Sequence, residues 1–503
     1  MLQYLGFHMI FQWHGLYYSG PMMNALLDQI KALEAQSAPL NPGESERQDS
    51  LAQVNEVAQA FLNQASQMRT YSNEQVEKDL SIGTTPKSLK ALLDLYQTEV
   101  TGKGIEPAAA GHLGYIPGGG IYASALADYL ADVTNEYAGV HYASPGAVAV
   151  ENAVLDWLKS IFGFPTSAVG NLASGGSIAN LIALTAARDK HGVKNERITK
   201  SVVYLSEQVH HCIQKALRII GLEDVVVREM PLDENFKLQP ELITRQIAVD
   251  KAAGLNPFLV IASAGTTDTG VVDPLQTLGE LCQQEGLWYH VDAAYGGFFV
   301  LLERCQQLFA GIELADSLVV DPHKGMFLPY GIGAVLVKDK EAVMHSNHYT
   351  ANYMQDTLNE AHPVNPADVS PELTKHFRGL RIWLPIQLYG IAPFKACLEE
   401  KILLTHYFRD RLVEMGFKVG PAPDLSVSYF WYEPEHGDAN AFNRQLMALL
   451  HEDGDVFLSS TLINGAFVIR MAILSFRTKL DTIERALKMI ERGMNTMVEE
   501  NIS

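Results

Sequence analysis

Four segments of this chain place reactive side chains directly after short apolar runs that read as β-strands. The first is a glycine-rich turn, Gly170–Ser177, and the second is Ser263–Thr267, which ends in two adjacent threonines. The third carries Asp292 beside small residues, and the fourth carries Lys324 in a Pro/His/Gly loop. In an open α/β sheet, ligands bind at the carboxyl ends of the strands, so these segments are expected to share a site.

Each segment suggests a chemistry from residue type alone. Backbone N–H groups of the glycine-rich turn can bind a phosphate at the N-terminus of the helix that follows. A lysine at a buried strand end is costly as a free cation, and desolvation makes it a candidate for Schiff-base formation. Ordinary alternatives remain for each segment: a turn capped by Ser177, a threonine cap, a helix-capping Asp292 or a solvated Lys324.

Taken together, the four segments meet the requirements of one cofactor. Pyridoxal 5'-phosphate (PLP) needs a lysine for its aldehyde, an acid for its pyridinium nitrogen and a helix N-terminus for its phosphate. Asp292 and Lys324 are 32 residues apart, at the ends of successive predicted strands. The sequence therefore predicts a PLP site at the edge of a sheet.

The elements that must position these segments alternate along the chain. After residue 165, β-branched runs alternate with amphipathic helical stretches, which predicts a mainly parallel sheet covered by helices on both faces. Beyond Trp383 the order changes and predicts a smaller α+β domain. The predicted strands are residues 201–205, 224–230, 258–264, 287–293, 317–321, 333–338, 426–432 and 466–474.

Composition restricts the class of protein further. The 503 residues carry a formal net charge of -20, which disfavours nucleic acid and anionic membranes as partners. The four cysteines are far apart and fit neither a disulfide framework nor a CxxC metal site, which predicts reduced thiols in a cytoplasmic protein without a metal centre. Residues 1–23 are apolar but lack the basic n-region of a signal peptide, so we expect a peripheral arm or a misplaced start codon.

Longer segments make the chain resemble the group II PLP-dependent amino-acid decarboxylases, the family of aromatic L-amino acid, histidine, glutamate and cysteine-sulfinate decarboxylases. The likeness covers roughly residues 110–495. It implies the fold of type I PLP-dependent transferases: an α/β domain with a mainly parallel sheet of seven-stranded type, and a small α+β C-terminal domain. The segments that carry it are residues 141–158, 174–184, 206–216, 265–275, 290–297, 320–325 and 377–385.

The resemblance implies a role for each residue around the cofactor ring. Lys324 would bind the cofactor aldehyde, and Asp292 would pair with the ring nitrogen and keep it protonated. His210 would stack on one face of the ring and assist proton handling, with Ala294 on the other face. Thr267 would bond the phenolic oxygen of the cofactor or the region of the substrate carboxylate.

The resemblance also implies which residues bind the cofactor phosphate and the substrate carboxylate. Gly176 and Ser177 would contact the phosphate, with His323 nearby. Asp321 stands where some members carry Asn, and because a carboxylate is a poor phosphate ligand, we expect it to face away or to bond a backbone amide. Arg470 matches an arginine that receives the substrate α-carboxylate in relatives, although pairing with a structural acid is the alternative.

A long polar segment, Met344–Ser370, is typical of a lid over an active site. In the family, a tyrosine on this loop protonates Cα after CO2 leaves. Tyr353 best matches that tyrosine, and Tyr349 is a close rival. Members with phenylalanine there tend toward aldehyde formation, so a tyrosine favours simple decarboxylation.

By resemblance, Tyr115, Gly118 and the segment 139–142 would set substrate choice. Gly118 and Gly139 stand where aromatic-acid decarboxylases carry larger residues, which predicts a more open pocket. The likeness of residues 141–158 and 377–385 favours an aromatic amino acid such as tryptophan, tyrosine or dopa. Glutamate, aspartate or a diamino acid remains the alternative.

Two other classes of function compete with decarboxylation. One is a different fold-type-I activity, such as an aminotransferase or a C–C lyase, and the other is a cofactor-binding protein without turnover. The resemblance implies a homodimer with shared active sites, and the net charge predicts no nucleic-acid or membrane partner. Its expected regions are an N-terminal helical region, 1–120, that packs on the partner subunit, a large PLP-binding domain, 121–383, and a small C-terminal domain, 384–503.

Overall fold

The structure is a computed structural model and describes residues 20–347 and 364–502. These residues form two compact units, one of residues 20–62 and 80–96, the other of residues 63–79 and the described chain from 97 onward. The smaller unit consists of helices α1 (Gly20–Ser37), α2 (Glu44–Gln64) and most of α3 (Leu89–Glu99). Within the described ranges, no helix combines the length and apolarity needed to cross a membrane.

The strands belong to the larger unit. In chain order they are β1 (Tyr71–Ser72), β2 (Gly104–Ile105), β3 (Val169–Ala173), β4 (Ser201–Leu205), β5 (Val226–Glu229), β6 (Asn256–Ser263), β7 (Trp288–Asp292), β8 (Ser317–Val320), β9 (Gly333–Val337), β10 (Lys418–Val419), β11 (Val427–Trp431), β12 (Ser459–Ile463) and β13 (Ala466–Ala472).

The remaining helices also lie in the larger unit. They are α4 (Tyr122–Thr134), α5 (Pro145–Ile161), α6 (Gly176–Lys190), α7 (Cys212–Ile219), α8 (Pro240–Ala252), α9 (Leu275–Glu285), α10 (Pro322–Gly325), α11 (Lys340–Asn347), α12 (Gly379–Tyr389), α13 (Ala392–Glu414), α14 (Ala439–Asp453) and α15 (Leu480–Ile502).

The central sheet has seven strands in the order β3-β9-β8-β7-β6-β4-β5. Its pairs are parallel except those of β9, which runs antiparallel to both neighbours. The register aligns Ser263 of β6 with Asp292 of β7, and Asp292 with Val319 of β8. This mainly parallel sheet confirms the predicted fold class, and it brings the carboxyl ends of β3, β4, β6, β7 and β8 to one edge.

Alternation along β6 explains why its sequence is a continuous apolar run. Val260 and Ala262 pack into the apolar cluster on one face of the sheet, and Leu259 and Ile261 into the cluster on the other. Because helices cover both faces, successive side chains are buried in both directions. The central strands are therefore rigid supports for the residues that follow them.

A second sheet forms the C-terminal part, in the antiparallel order β10-β11-β13-β12. It shares an apolar core with residues of α13, α14 and α15, and this arrangement confirms the α+β character expected of the C-terminal part. Five strands are absent from the sequence prediction: the two-residue strands β1, β2 and β10, then β12, and β3, whose residues Gly170–Ala173 fall in the predicted glycine-rich turn. The turn itself is shorter, since only Ser174 and Gly175 lie between β3 and α6.

Candidate active site

The predicted segments meet at one cavity of about 410 Å³ at the carboxyl edge of the central sheet. Each of β3, β4, β6, β7 and β8 contributes the residues that directly follow it. The lining residues are Ser174, Gly175, Gly176, Ser177, Ile178, Asn180, Gln208, His210, Cys212, Ser263, Gly265, Thr266, Thr267, Asp292, Ala294, Tyr295, Asp321, His323 and Lys324.

Lys324 lies in α10, the single helical turn that follows β8. Its Nζ is 3.0 Å from Oδ2 of Asp321, and its side chain is 22% exposed, toward the cavity that it lines. Burial by itself would lower the pKa of Lys324, but the negative charges of Asp321 and Asp292 and the hydrogen bond to Asp321 outweigh it and raise that pKa above its usual value. The amine is thus held as a cation between two acids.

Asp321 therefore does not face away or bond a backbone amide, and that expectation is wrong. Oδ2 pairs with Lys324, and Oδ1 is buried without a hydrogen-bond partner among the described residues. Two glycines leave room for the carboxylate: a Cβ built on Gly176 would lie 2.8 Å from Oδ2, and one on Gly333 would lie 2.7 Å from Oδ1. The contact with Lys324 was not expected because sequence spacing does not show side-chain direction.

Asp292 ends β7 with its carboxylate held from two sides. Oδ1 accepts from the backbone N–H of Ala294 at 3.1 Å, and Oδ2 accepts from Nδ2 of Asn180 at 3.3 Å. The side chain is buried, and it lines the same cavity as Lys324. A carboxylate fixed in this way can hold a proton on the nitrogen of a flat heteroaromatic ring.

His210 and Ala294 line the same cavity, as a ring-stacking pair would require. The backbone N–H of Cys212 donates to Nδ1 of His210 at 3.3 Å, so in the neutral ring the proton sits on Nε2. Burial is the main cause that lowers the pKa of His210, although the charge of Asp292 opposes it. The imidazole is therefore kept neutral, with Nε2–H as its hydrogen-bond donor.

The expected phosphate cradle is the first turn of α6. Gly176 and Ser177 are its first residues, and their N–H groups have no partner within the helix. The chain passes very close to β9 here, since a Cβ on Gly333 would lie 2.5 Å from the carbonyl carbon of Gly175. Nearby, Nδ1 of His323 donates to the carbonyl of Ile332 at 2.5 Å, which leaves Nε2 directed toward Asp321.

Arg470 lies on β13 outside the cavity lining, and its guanidinium joins three separate segments. Nε donates to the carbonyl of Thr267 at 2.7 Å, Nη2 to the carbonyl of Tyr115 at 3.1 Å and Nη1 to Oγ of Ser459 at 3.1 Å. Thr267 itself lines the cavity, whereas the hydroxyl of its neighbour Thr266 is engaged with Thr269. Arg470 therefore holds the rim of the site in place.

The glycines of the expected specificity segments do not widen the cavity. A Cβ on Gly118 would lie 2.0 Å from the carbonyl oxygen of His323, and one on Gly139 would lie 2.2 Å from that of Leu373. Both glycines are needed for close backbone packing, so they do not support the expectation of a more open pocket, which stays a prediction. Tyr115 is mostly exposed and adopts a left-handed backbone, with φ of 48°.

The two candidate proton donors, Tyr353 and Tyr349, lie outside the described residues, as do residues 1–19. Several lining residues were missed by sequence reasoning. Asn180 is one helical turn beyond Gly176, which places it on the same face of α6. His290, which contacts Asn180, shares a face of β7 with Asp292 because it is two residues away.

The residues present fit PLP by the chemistry of their groups. A half-buried amine, a fixed carboxylate, a neutral imidazole and a glycine-rich helix N-terminus surround one cavity at the strand ends of a mainly parallel α/β sheet. These features define a PLP-dependent enzyme of fold type I.

Comparison with known proteins identifies the family. The model described as "Pyridoxal-dependent decarboxylase conserved domain" matches residues 73–432. The chain is 33% identical to an aromatic-L-amino-acid decarboxylase of Bacillus atrophaeus over 78% of this chain and 82% of that protein. It is 30% identical to a phenylacetaldehyde synthase of Arabidopsis thaliana over 75% of this chain and 81% of that protein.

A solved structure supports the fold independently. The crystal structure of Oryza sativa TDC with PLP and tryptamine matches with a TM-score of 0.85 at 23% identity, covering 91% of this chain and 99% of that chain. The chain belongs to the pyridoxal-dependent decarboxylase family. It is a PLP-dependent amino-acid decarboxylase, as the sequence predicted.

Proposed function

We propose that this enzyme removes the α-carboxylate of an aromatic L-amino acid and releases CO2 and the corresponding amine. The observation that carries the proposal is the shared cavity of Lys324 and Asp292 in a chain 33% identical to an aromatic-L-amino-acid decarboxylase. Bound PLP supplies the sink for the electron pair that the departing CO2 leaves behind.

The roles of the residues follow from their contacts. Lys324 is the amine that binds the cofactor aldehyde, and Asp292 holds the proton on the ring nitrogen. His210 and Ala294 bound the ring, and the neutral imidazole donates the proton that it carries on Nε2. Thr267 supports the phenolic side, and its position depends on the bond from Arg470 to its carbonyl.

We assign the phosphate of the cofactor to Gly176 and Ser177, with His323 beside them. We assign the substrate carboxylate to Arg470, and Tyr115 and Gly118 form the adjacent wall. The guanidinium of Arg470 has five N–H groups and makes three hydrogen bonds to the described protein. Arg470→Lys is expected to raise KM for the amino acid more than it lowers kcat.

Lys324→Ala tests the cofactor assignment directly. The variant is expected to lose both the visible absorption of the protein-linked cofactor and the trapping of that cofactor by borohydride. Unchanged trapping on another lysine would reject the assignment. The matched control is Lys338→Ala, because Lys338 is a partly buried lysine whose Nζ donates to the carbonyl of Glu313, away from the cavity.

The substrate class is tested with a panel of amino acids. We expect CO2 release to be fastest with tryptophan, tyrosine or dopa, and slow with glutamate, aspartate and diamino acids. A preference for an acidic or diamino acid would move the enzyme to the alternative substrate class within the same family. Formation of a keto acid in place of CO2 would instead indicate an aminotransferase.

A second candidate function is aldehyde formation, which the 30% identity to the Arabidopsis thaliana phenylacetaldehyde synthase supports. Tyr353 on the expected lid favours the amine instead, because the resemblance associates phenylalanine at this position with aldehyde. Quantifying amine and aldehyde from one substrate separates the two functions. Aldehyde as the main product of the unmodified enzyme would overturn the first.

We propose Tyr353 as the donor that protonates Cα, delivered across a dimer interface. Mixed dimers of Lys324→Ala and Tyr353→Phe subunits test both points. If the tyrosine crosses, each mixed dimer contains one site with native lysine and native tyrosine, and amine formation reappears on mixing. No recovery would argue against shared sites, and Tyr349→Phe, mixed in the same way, distinguishes the rival tyrosine.

The homodimer itself is supported by uncovered apolar stripes. On α4, exposed side chains recur at helical spacing in Tyr122, Leu126, Tyr129 and Val133. We assign this face to a second copy of the chain. Leu126→Glu is expected to shift the molar mass measured by light scattering toward the monomer, whereas Leu462→Glu, at an exposed leucine of β12, should not.

A similar stripe supports packing of the N-terminal region, 1–120, on the partner. On α1 the exposed apolar residues are Met23, Leu26, Leu27, Ile30 and Leu33. The seven-stranded sheet and the C-terminal sheet support the proposed large domain, 121–383, and small domain, 384–503.

The four cysteines form no disulfide, which supports a cytoplasmic location. Cell fractionation tests this location.

A further inference from the structure

A line of buried polar side chains runs from the interior of the sheet to Asp292. Nε1 of Trp288 lies 2.8 Å from Oγ of Ser317, and that Oγ lies 2.8 Å from Nδ1 of His290. Nε2 of His290 lies 2.7 Å from Oδ1 of Asn180, whose Nδ2 lies 3.3 Å from Oδ2 of Asp292. These side chains are buried from end to end, so water does not compete for their hydrogen bonds.

The direction of every bond in this chain follows from its two ends. An indole N–H can only donate, so Trp288 donates to Ser317. A carboxylate can only accept, so Nδ2 of Asn180 donates to Asp292, and its second hydrogen faces Sγ of Cys212 at 3.4 Å. Oδ1 of Asn180 is then the acceptor for His290.

The middle of the chain is fixed by the same reasoning. Because Oδ1 of Asn180 accepts, Nε2 of His290 must carry the proton, and neutral Nδ1 accepts from the hydroxyl of Ser317. Burial lowers the pKa of His290 to about 4, which agrees with a neutral ring. All donors therefore point one way, from Trp288 through Ser317, His290 and Asn180 to the carboxylate.

We propose that Asn180, held by the Nε2–H tautomer of His290, is a positioning residue that orients Asp292 toward the ring nitrogen of PLP. This inference rests on the proposed role of Asp292. Asn180 touches the carboxylate, while His290 and Ser317 act through Asn180. Without the donation from Asn180, one carboxylate oxygen loses the partner that fixes its direction, so the carboxylate can turn away from the ring nitrogen.

A conservative pair of variants at position 290 isolates the bond to Asn180. Glutamine places an amide nitrogen close to the position of Nε2, whereas asparagine reaches only the position of Nδ1. His290→Gln is therefore expected to keep the donation to Asn180, and His290→Asn to lose it. Because the two variants remove the same imidazole, a difference between them reports the hydrogen bond.

The readout is the ring nitrogen of the cofactor, followed by 15N NMR after reconstitution with PLP labelled at that nitrogen. The unmodified enzyme and His290→Gln are expected to give the resonance of a protonated ring. Asn180→Ala and His290→Asn should move it toward the unprotonated position, by less than Asp292→Asn does. In parallel, kcat should fall about tenfold in these variants with little change in KM.

The matched structural control is Asn171→Ala. Asn171 is also a buried asparagine, and its Nδ2 donates to the carbonyl of Pro366, outside the cavity lining. Its replacement should lower stability without moving the ring-nitrogen resonance. If Asn180→Ala does not fold, the pair at position 290 carries the test.

The outcomes separate this inference from the function on which it rests. If Asp292→Asn leaves the ring-nitrogen resonance unchanged, the assigned role of Asp292 fails first. If Asp292→Asn moves the resonance but Asn180→Ala and His290→Asn do not, only the positioning chain is overturned. Labelled histidine that shows the proton of His290 on Nδ1 would also overturn it, because the direction of donation would be reversed.

Discussion

Nζ of Lys324 lies 3.0 Å from Oδ2 of Asp321, the acid that directly precedes its own helical turn. The same carboxylate borders Gly176 at the start of α6, where the phosphate of the cofactor is expected. The negative charge of Asp321 therefore acts both on the amine of Lys324 and on the expected phosphate site. It raises the pKa of the reacting amine, and it competes electrostatically with an anion at the helix N-terminus.

Asp321→Asn is expected to speed the covalent capture of PLP by the apoenzyme. Removing the charge lowers the pKa of Lys324, and each unit of decrease raises the free-amine fraction about tenfold at a pH below that pKa. The pH profile of capture should move to lower pH. Stopped-flow absorbance after mixing apoenzyme with PLP measures the rate.

The control for this prediction is Asp339→Asn, which removes an acid paired with Lys190 outside the cavity lining. It should leave the capture rate and its pH profile unchanged. An Asp321→Asn enzyme that captures PLP at or below the original rate would show that the carboxylate assists the amine instead of restraining it.

Gly118→Ala is expected to weaken cofactor binding about tenfold or more. The added methyl would meet the carbonyl oxygen of His323 at 2.0 Å, so the backbone that carries Lys324 must move. Overpacking of this kind costs about 1 to 3 kcal/mol. Equilibrium dialysis of PLP gives the affinity, and Gly146→Ala, which has open space around the added methyl, is the matched control.

The ion pair of Glu151 and Lys375 gives a test of stability. Both side chains are fully buried, and Nζ of Lys375 lies 2.6 Å from Oε2 of Glu151, whose Oε1 has no hydrogen-bond partner among the described residues. Lys375→Met should cost about 3 to 5 kcal/mol, because it leaves a buried charge unpaired. Urea unfolding measures the loss.

The double replacement Glu151→Gln with Lys375→Met should recover most of that stability, since no uncompensated charge remains. A double variant as unstable as Lys375→Met would show that side-chain packing, and not charge, explains the loss. The unmodified enzyme, Lys375→Met, Glu151→Gln and the double variant complete a double-mutant cycle.

His112 is expected to make the fold sensitive to mild acid. Burial lowers its pKa to about 4 from an ordinary value of 6.5, so between these values the unfolded chain binds more protons than the folded one. Stability is therefore lost as the pH falls through this window, by about 2 kcal/mol from this histidine between pH 7 and pH 5.

His112→Phe should remove that share of the pH dependence while keeping a ring beside Tyr115 and Phe457. Asp273 works in the opposite direction, since burial raises its pKa to about 6. Asp273 is present in both the unmodified enzyme and His112→Phe. The difference between the urea midpoints of these two proteins therefore isolates the contribution of His112 to the pH dependence of stability. Parallel pH profiles would contradict the prediction.

The sequence predicted the central sheet because the strands that surround the site are continuous β-branched runs with local signals at their ends. It did not predict β3, since Gly170 and Asn171 have low strand propensity and are held by pairing with β9, more than 160 residues further on. The strand is a product of tertiary pairing.

The same distinction applies to the site. Asp292 and Lys324 could be found because each follows its own strand. The hydrogen-bond partners of Asp292 and Arg470 could not be found from the sequence because they are distant in the chain. Asn180 lies 112 residues from Asp292, and Tyr115 lies 355 residues from Arg470. Side-chain direction, as at Asp321, is likewise decided by packing across the sheet.

Asp292 and the turn that bears Lys324 leave neighbouring strands whose register pairs Asp292 with Val319. A single inserted or deleted residue within β7 would rotate the acid to the opposite face of the sheet. The cofactor site therefore constrains the lengths of β7 and β8, a constraint that loops far from these strand ends do not share.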